Sequence, residues 1–362
     1  MNPNEVFQST LRAVKYGRPV LIVGSPGIGK TTVVKKVAKS LGMDLVITTP
    51  AVADPTDAKG LGFPSADGLS AKFLPFGELL QLLNATRPTL WFIDDLGQAT
   101  EAVQASLMPY ILARRCGEHV LPDCVVIVAA TNGRGHKANV RGILEPVKSR
   151  FHKIVQMEAS YPIWREEFAI PMEVPVEIIA YLDYAEKATA GKSCFNDFVP
   201  SADIVNSAIP RTWANAGDLI NDFRLDGGDE NELFTVGSVL YHDVCGAIGF
   251  EQGAKLWQFN SLKSSLPDIN VILSKPRDAL VPKDLNALFL VINTVAVKAT
   301  EKNLANVIEY GRMVAEKGYG EFQAVMMKDV FLRHPELKHT NEYVRFMTSK
   351  DGDVFNGMSL AA

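Results

Sequence analysis

Gly24-Ser25-Pro26-Gly27-Ile28-Gly29-Lys30-Thr31-Thr32 places three glycines, a lysine and paired hydroxyls directly after the apolar run Val20 to Val23 and before a helical pattern from Thr32 to about Leu41. Glycines let the backbone fold into a concave nest of converging N–H groups, and a helix that starts at Lys30 adds the positive end of its dipole. A nest of that kind takes phosphate. Lys30 would reach the β- and γ-phosphates of a nucleotide, and the Thr31 hydroxyl would hold Mg²⁺. The alternative is a Gly-rich turn that binds nothing, and the strand-before, helix-after context argues against it.

A second group of chemically active residues lies further along. Leu90-Trp91-Phe92-Ile93 is an apolar strand that ends in Asp94-Asp95. A buried strand delivers its acids to the C-terminal edge of an open α/β sheet, where ligands bind. Asp94 would hold Mg²⁺, directly or through water, and Asp95 would polarise the attacking water. A third strand, Val125 to Ala130, ends in Thr131-Asn132. The Asn132 amide can orient that water or sense the γ-phosphate, or it can serve only as a turn residue. Arg150 and Arg211 are the arginines whose guanidinium groups could face a transferring phosphoryl group. A lone arginine is ordinarily a solvated surface residue, so pattern alone gives neither a role.

These residues need a scaffold that brings strand ends together. Over the first 157 residues short apolar strands near 20–23, 44–48, 89–93, 125–130 and 153–157 alternate with helical patterns, which predicts a parallel sheet covered by helices. Residues 2–16 read as an opening helix with Val6, Phe7, Leu11 and Val14 on one face. Thr49 to Pro75 reads as a long irregular connection, of the kind that is functional or mobile. Beyond residue 158 helical patterns with Pro/Gly punctuation dominate. We expect a helical lid over 158–225 and a helical region over 226–362, divided at Asp226-Gly227-Gly228-Asp229-Glu230. Leu285 to Ala296 and Glu321 to Phe331 are apolar enough to pack as helices, either as an extension of the lid or as a docking surface.

With 362 residues, 47% of them hydrophobic and 22% charged, the chain is an ordinary globular composition able to bury real cores. Its formal net charge of −4, with no long basic run, argues against a whole-chain attraction to nucleic acid. The one place where a basic loop could meet a polyanion is Gly133 to Val140, with Arg134, His136 and Lys137. Cys116, Cys124, Cys194 and Cys245 form no CxxC pair and read as buried thiols. The start of the chain lacks the pattern of a signal peptide and no apolar run has the length of a membrane span, so the expected location is the cytoplasm.

The P-loop, Asp94-Asp95, Asn132, Ser149-Arg150-Phe151 and Pro210-Arg211-Thr212-Trp213 occur in the order of Walker A, Walker B, sensor 1, arginine finger and sensor 2 of AAA+ ATPases. The wording resembles the MoxR branch of that family in two places. Val103-Gln104-Ala105-Ser106-Leu107, Arg115-Cys116-Gly117-Glu118, Leu121-Pro122-Asp123 and Val128-Ala129-Ala130-Thr131-Asn132 resemble its run between Walker B and sensor 1. Trp164-Arg165-Glu166-Glu167-Phe168-Ala169, with Pro175 to Leu182, resembles its lid. The resemblance covers residues 1–225 and is less sharp beyond.

The resemblance implies an α/β AAA+ core, 1–157, followed by the helical lid and the C-terminal helical extension. It implies Mg-ATP as the bound nucleotide and an ATPase activity. Lys30, Thr31, Asp94 and Asp95 would act within one subunit with Asn132 as sensor 1, and Arg211 would meet the γ-phosphate from the lid. Arg150 would project into the neighbouring subunit, with Arg134 and Arg141 as alternates, so that hydrolysis depends on a ring, six-membered by resemblance. The implied partner is a protein client to be remodelled or activated, often one with a von Willebrand factor A domain. A nucleic-acid motor or loader, and a nucleotide-gated scaffold with little turnover, are the other readings. The family usually places Glu where this chain has Asp95, and the loss of about 1.5 Å of reach can cost roughly a hundredfold in rate.

Overall fold

The structure, a computed structural model, describes residues 1–133, 142–188, 194–198, 203–261, 266–352 and 355. The described residues form two compact units, one built from Met1–Ser160 with Phe198 and the other from Tyr161–Asp197 and the described residues from Asp203 onward. Of the lid expected over 158–225, residues 158–160 and Phe198 belong to the first unit, while the rest of its described residues and those of the helical region expected from 226 belong to the second.

The first unit is a five-stranded parallel sheet. Its strands are β1 (Val20–Val23), β2 (Asp44–Thr48), β3 (Thr89–Ile93), β4 (Val125–Thr131) and β5 (Lys153–Gln156), in the order β2-β3-β4-β1-β5. Every residue of β3 and β4 is buried, which is why both read as continuous apolar runs without alternation. One face packs against helix α1 (Pro3–Lys15) and α2 (Lys30–Ser40) through Val6, Val14, Val34, Val37, Ile22, Phe92 and Val128. The other packs through Leu21, Trp91, Ile93, Ile127 and Ala129 against a layer that includes α3 (Gly77–Leu83), α4 (Glu101–Ala113) and the short α5 (Glu145–Lys148). Asn2 caps α1 in a reciprocal box with Glu5, and Pro3 at the first helical position needs no backbone donor.

Thr49 to Pro75 is more ordered than expected. It holds two 3₁₀ turns, Pro50–Val52 and Pro55–Ala58, and an antiparallel ribbon pairing Leu61–Pro64 with Ala71–Leu74. All eight ribbon residues are exposed, so no in–out alternation marks them in the sequence. Gly60 leads into the ribbon at φ +84°, where a Cβ would stand 2.3 Å from the carbonyl oxygen of Leu74. Only glycine fits there.

The second unit is helical among its described residues, apart from an isolated bridge between Asp197 and Ala208. Tyr161–Trp164 runs into a π-helical turn, Arg165–Ala169, followed by α6 (Val176–Ala188), α7 (Pro210–Leu225), α8 (Val239–Ile248) and α9 (Phe250–Asn260). Then come α10 (Leu285–Val297), α11 (Leu304–Glu316) and α12 (Gly320–Arg333), which include the two apolar segments expected to be helices. Arg165, 6% exposed, ties the π-turn to α6 and α12. Its Nε donates to Asp183 Oδ1 at 2.7 Å, its Nη2 to Asp183 Oδ2 at 2.9 Å and its Nη1 to Asp329 Oδ1 at 2.6 Å. Among the described residues no helix is long and apolar enough to cross a membrane.

Candidate functional site

Strand register decides which residues meet. Val23 lies opposite Thr131, and Ile93 opposite Ala129. The P-loop after β1, the acid pair after β3 and Asn132 after β4 therefore leave the same edge of the sheet, at the C-terminal ends of three adjacent strands. The Gly24 amide donates to Thr131 O at 3.2 Å, so the P-loop starts tethered to the strand that carries Asn132.

The loop itself requires its glycines. Gly27 and Gly29 stand at φ +72° and +94°, left-handed values that L side chains rarely adopt, and Gly29 is the N-cap of α2. Gly24 has no positive φ but no room either, since a Cβ would lie 2.5 Å from Met157 O and 2.7 Å from Ile28 Cδ1. Ile28 is buried in the α1–α2 core and anchors the loop from below. Ser25, Pro26 and Thr32 complete the turn and the first turn of the helix.

Lys30 is only 7% exposed, and its ammonium donates to Gly24 O at 3.0 Å, Ser25 O at 2.8 Å and Asn132 Oδ1 at 2.8 Å. Asn132 in turn donates from Nδ2 toward Asp95 Oδ1 at 3.4 Å. The Thr31 hydroxyl donates to Asp94 Oδ2 at 2.9 Å, while Asp94 Oδ1 accepts from the Asp95 amide at 3.0 Å. Five of the side chains singled out in the sequence are thus joined in one hydrogen-bonded chain, Thr31–Asp94–Asp95–Asn132–Lys30, with the Asp94–Asp95 link made through the Asp95 backbone.

Asp95 occupies the left-handed region at φ +53°, ψ +35°. For a non-glycine residue that conformation is uncommon, though Asp and Asn tolerate it best. The turn it makes sends the chain into the 3₁₀ segment Leu96–Gln98 and points its carboxylate toward Asn132. One residue that sequence reasoning passed over, Thr48, holds this corner. Thr48 accepts the Asp94 amide on its carbonyl at 2.9 Å, and its hydroxyl accepts the Trp91 indole N–H at 3.0 Å. A signal was present, since Thr48 ends an apolar strand next to the acid-bearing one, but no spacing rule couples the two.

Thr31 Oγ1 and Asp94 Oδ2, 2.9 Å apart, are separated like neighbouring corners of an octahedron with metal–oxygen distances of about 2.1 Å. That donor set fits Mg²⁺, which takes one or two protein oxygens and completes its shell with phosphate and water.

The arginines are placed differently. Arg150 lies in the first unit just after α5, half-buried, and its Nη1 donates to Pro146 O. It is outside the hydrogen-bonded chain around Lys30. Arg211 belongs to the second unit, at the second residue of α7. Pro210, Thr212 and Trp213 are buried while Arg211 is exposed, so the first three build the helix start and Arg211 is the residue they present. Thr212 Oγ1 accepts from the Ile209 amide at 2.9 Å and donates to Ser207 O at 2.7 Å. Arg134, His136, Lys137 and Arg141 lie outside the described residues.

Residues 20–159 match the family described as "ATPase family associated with various cellular activities (AAA)". Among solved structures the chain is similar to the RuvB Holliday junction branch migration motor of Thermotoga maritima, with 16% identity over 75% of this chain and 76% of that one and a TM-score of 0.39. A single-site variant of the same protein gives 18% identity over 75% of each chain and a TM-score of 0.41. Nothing of RuvB's activity transfers with a likeness of that degree.

Proposed function

We propose that this chain, whose residues 20–159 are an AAA ATPase domain, is a ring-forming, MoxR-like Mg-ATPase that spends its nucleotide cycle on remodelling or activating a protein client. The observation that carries the reading is the hydrogen-bonded chain from Thr31 through Asp94, Asp95 and Asn132 to Lys30. It gathers a phosphate-binding cation, a metal-binding pair, a water-polarising acid and an orienting amide on one sheet edge.

In this reading the P-loop amides and Lys30 take the β- and γ-phosphates. Bound Mg²⁺, held by Thr31 and Asp94, would neutralise charge on the phosphates. Asp95 accepts a proton from the attacking water, and Asn132 keeps that water and Asp95 aligned. Arg150 stabilises the developing charge from the neighbouring subunit, and Arg211 contacts the γ-phosphate from the lid. The protein client is favoured over nucleic acid by the acidic net charge of −4 and the lack of a basic, aromatic-interleaved stripe in the sequence.

The test is steady-state ATP hydrolysis beside mass-resolved assembly for the wild type, Lys30→Ala, Asp95→Asn and Arg150→Ala. Lys30→Ala loses nucleotide binding, Asp95→Asn binds and assembles without turnover, and Arg150→Ala binds ATP but does not turn it over. Wild-type assembly on ATP with no turnover above Asp95→Asn would replace the motor by a nucleotide-gated scaffold, the reading that the shortened acid at position 95 supports.

A further inference from the structure

Helix α4 turns an apolar stripe into the core of the first unit, with Val103, Leu107, Tyr110 and Ile111 all buried, and two polar side chains, Gln104 and Ser106, are buried on the same helix. Gln104 is 0% exposed. A carboxamide taken fully out of water is retained at a cost unless its donors and its acceptor are used. Here they are used on two separate stretches of backbone. Nε2 donates to Ala99 O at 3.2 Å and to Gly142 O at 2.8 Å, and Oε1 accepts from the Leu144 amide at 3.1 Å.

The two stretches matter for the site. Ala99 closes the 3₁₀ turn that leaves Asp94-Asp95. Gly142 to Leu144 is the run that enters α5, and it turns at Gly142 with φ +90°, a left-handed value suited to glycine. Immediately beyond, Val147 and Phe151 are buried in the same cluster as Leu107 and Tyr110, and Arg150 lies between them. One planar carboxamide therefore holds both a carbonyl and an amide of the segment that leads to Arg150. Holding two backbone groups of opposite polarity resists rotation of the segment as well as translation.

We propose that Gln104 is a positioning residue for Arg150: by clamping Gly142 and Leu144 it sets the aim of α5, and with it the guanidinium that acts on the neighbouring subunit's nucleotide. The inference rests on the reading of Arg150 as a trans-acting group. Removing the carboxamide leaves the buried Gly142 O and the part-buried Leu144 N without this partner, and the segment shifts to satisfy them. A displacement of about 1 Å at the reacting groups costs up to about a hundredfold in rate, without touching the residues that bind ATP in the same subunit.

The experiment compares Gln104→Met, Arg150→Ala and Asp95→Asn, each alone and in pairwise mixtures, by ATP titration, assembly and steady-state hydrolysis. The expected result is that Gln104→Met binds ATP and assembles as the wild type does, with kcat lowered ten- to hundredfold and KM unchanged. Mixed with Asp95→Asn subunits, which bind ATP, assemble and keep Arg150 correctly held, it regains turnover, as Arg150→Ala does in the same mixture. Unchanged kcat, a parallel loss of ATP affinity, or no recovery where Arg150→Ala recovers, each overturns the role of Gln104 and leaves that of Arg150 standing. If Arg150→Ala itself is not complemented, the trans reading fails and this inference with it. Should Gln104→Met not assemble, Gln104→Glu, which keeps the acceptor for Leu144, is read in the same way; failure of both to assemble makes Gln104 a general folding residue and overturns the positioning role.

Discussion

The Thr31 hydroxyl donates to Asp94 Oδ2 across 2.9 Å, joining the first turn of the P-loop helix to the end of a strand two places across the sheet. The bond holds two oxygens at the spacing a small hard cation needs. Thr31→Val keeps the shape and removes one of them. We expect the half-saturating Mg²⁺ concentration for ATP hydrolysis to rise about tenfold, the equivalent of one charge-assisted contact, while metal-free nucleotide still binds. A Mg²⁺ titration that superimposes on the wild type would contradict this pairing.

Asp95 stands in the left-handed region, where Asn is tolerated as well as Asp. Asp95→Asn should therefore change unfolding free energy by no more than about 0.5 kcal/mol, yet lower kcat by at least about a hundredfold through loss of the proton acceptor. Denaturant titration and hydrolysis on the same preparation check both halves. A variant that is strongly destabilised, or one that still turns over, speaks against the role given to this carboxylate.

The buried pair Arg165 and Asp329, with Asp183 alongside, makes a third expectation. Asp329 is 1% exposed and Arg165 6%. Arg165→Met strands two carboxylates in the interior, so the second unit should lose about 3–5 kcal/mol, a fall in Tm of roughly 10 °C for a unit of this size. Combining it with Asp183→Asn and Asp329→Asn removes the uncompensated charges and should recover much of the loss. Thermal unfolding of both variants decides it, and equal melting points for them would refute the electrostatic account.

Burial, and then the neighbouring Glu186 carboxylate, push the Cys194 thiol up to about 12. At pH 8 its thiolate fraction is about 10⁻⁴, against about one quarter for an ordinary thiol of pKa about 8.5. Alkylation with iodoacetamide followed by peptide mapping should show Cys194 reacting roughly a thousandfold more slowly than free cysteine in the folded protein, and at a normal rate in denaturant. Fast labelling of the folded chain would rule out the buried environment.

Much of the nucleotide site is legible in the residues alone because its chemistry is local. A phosphate nest needs glycines at fixed offsets, a parallel strand needs an apolar run, and an acid pair at the end of that run can point only to the sheet edge. Gly27, Gly29, Lys30, Asp94 and the five strands follow from such rules, and the ends of the observed strands differ from expectation by a residue at most. The ribbon between Leu61 and Leu74 escaped because its residues are exposed on both faces and leave no periodicity.

Tertiary structure decided the rest, and the reason is that a side chain's partner across the fold has no sequence spacing. Lys30 and Asn132 are 102 residues apart, Gln104 and Leu144 are 40, and Arg165 and Asp329 are 164. Nothing in the sequence distinguishes Gln104 from a surface glutamine except its place on an apolar stripe, and nothing marks Asp329 as the partner of Arg165. The sequence by itself determined which groups could do chemistry and on which strand ends they stand. Only packing and register determined which of them share a hydrogen bond, because those are settled by what the whole core excludes from water.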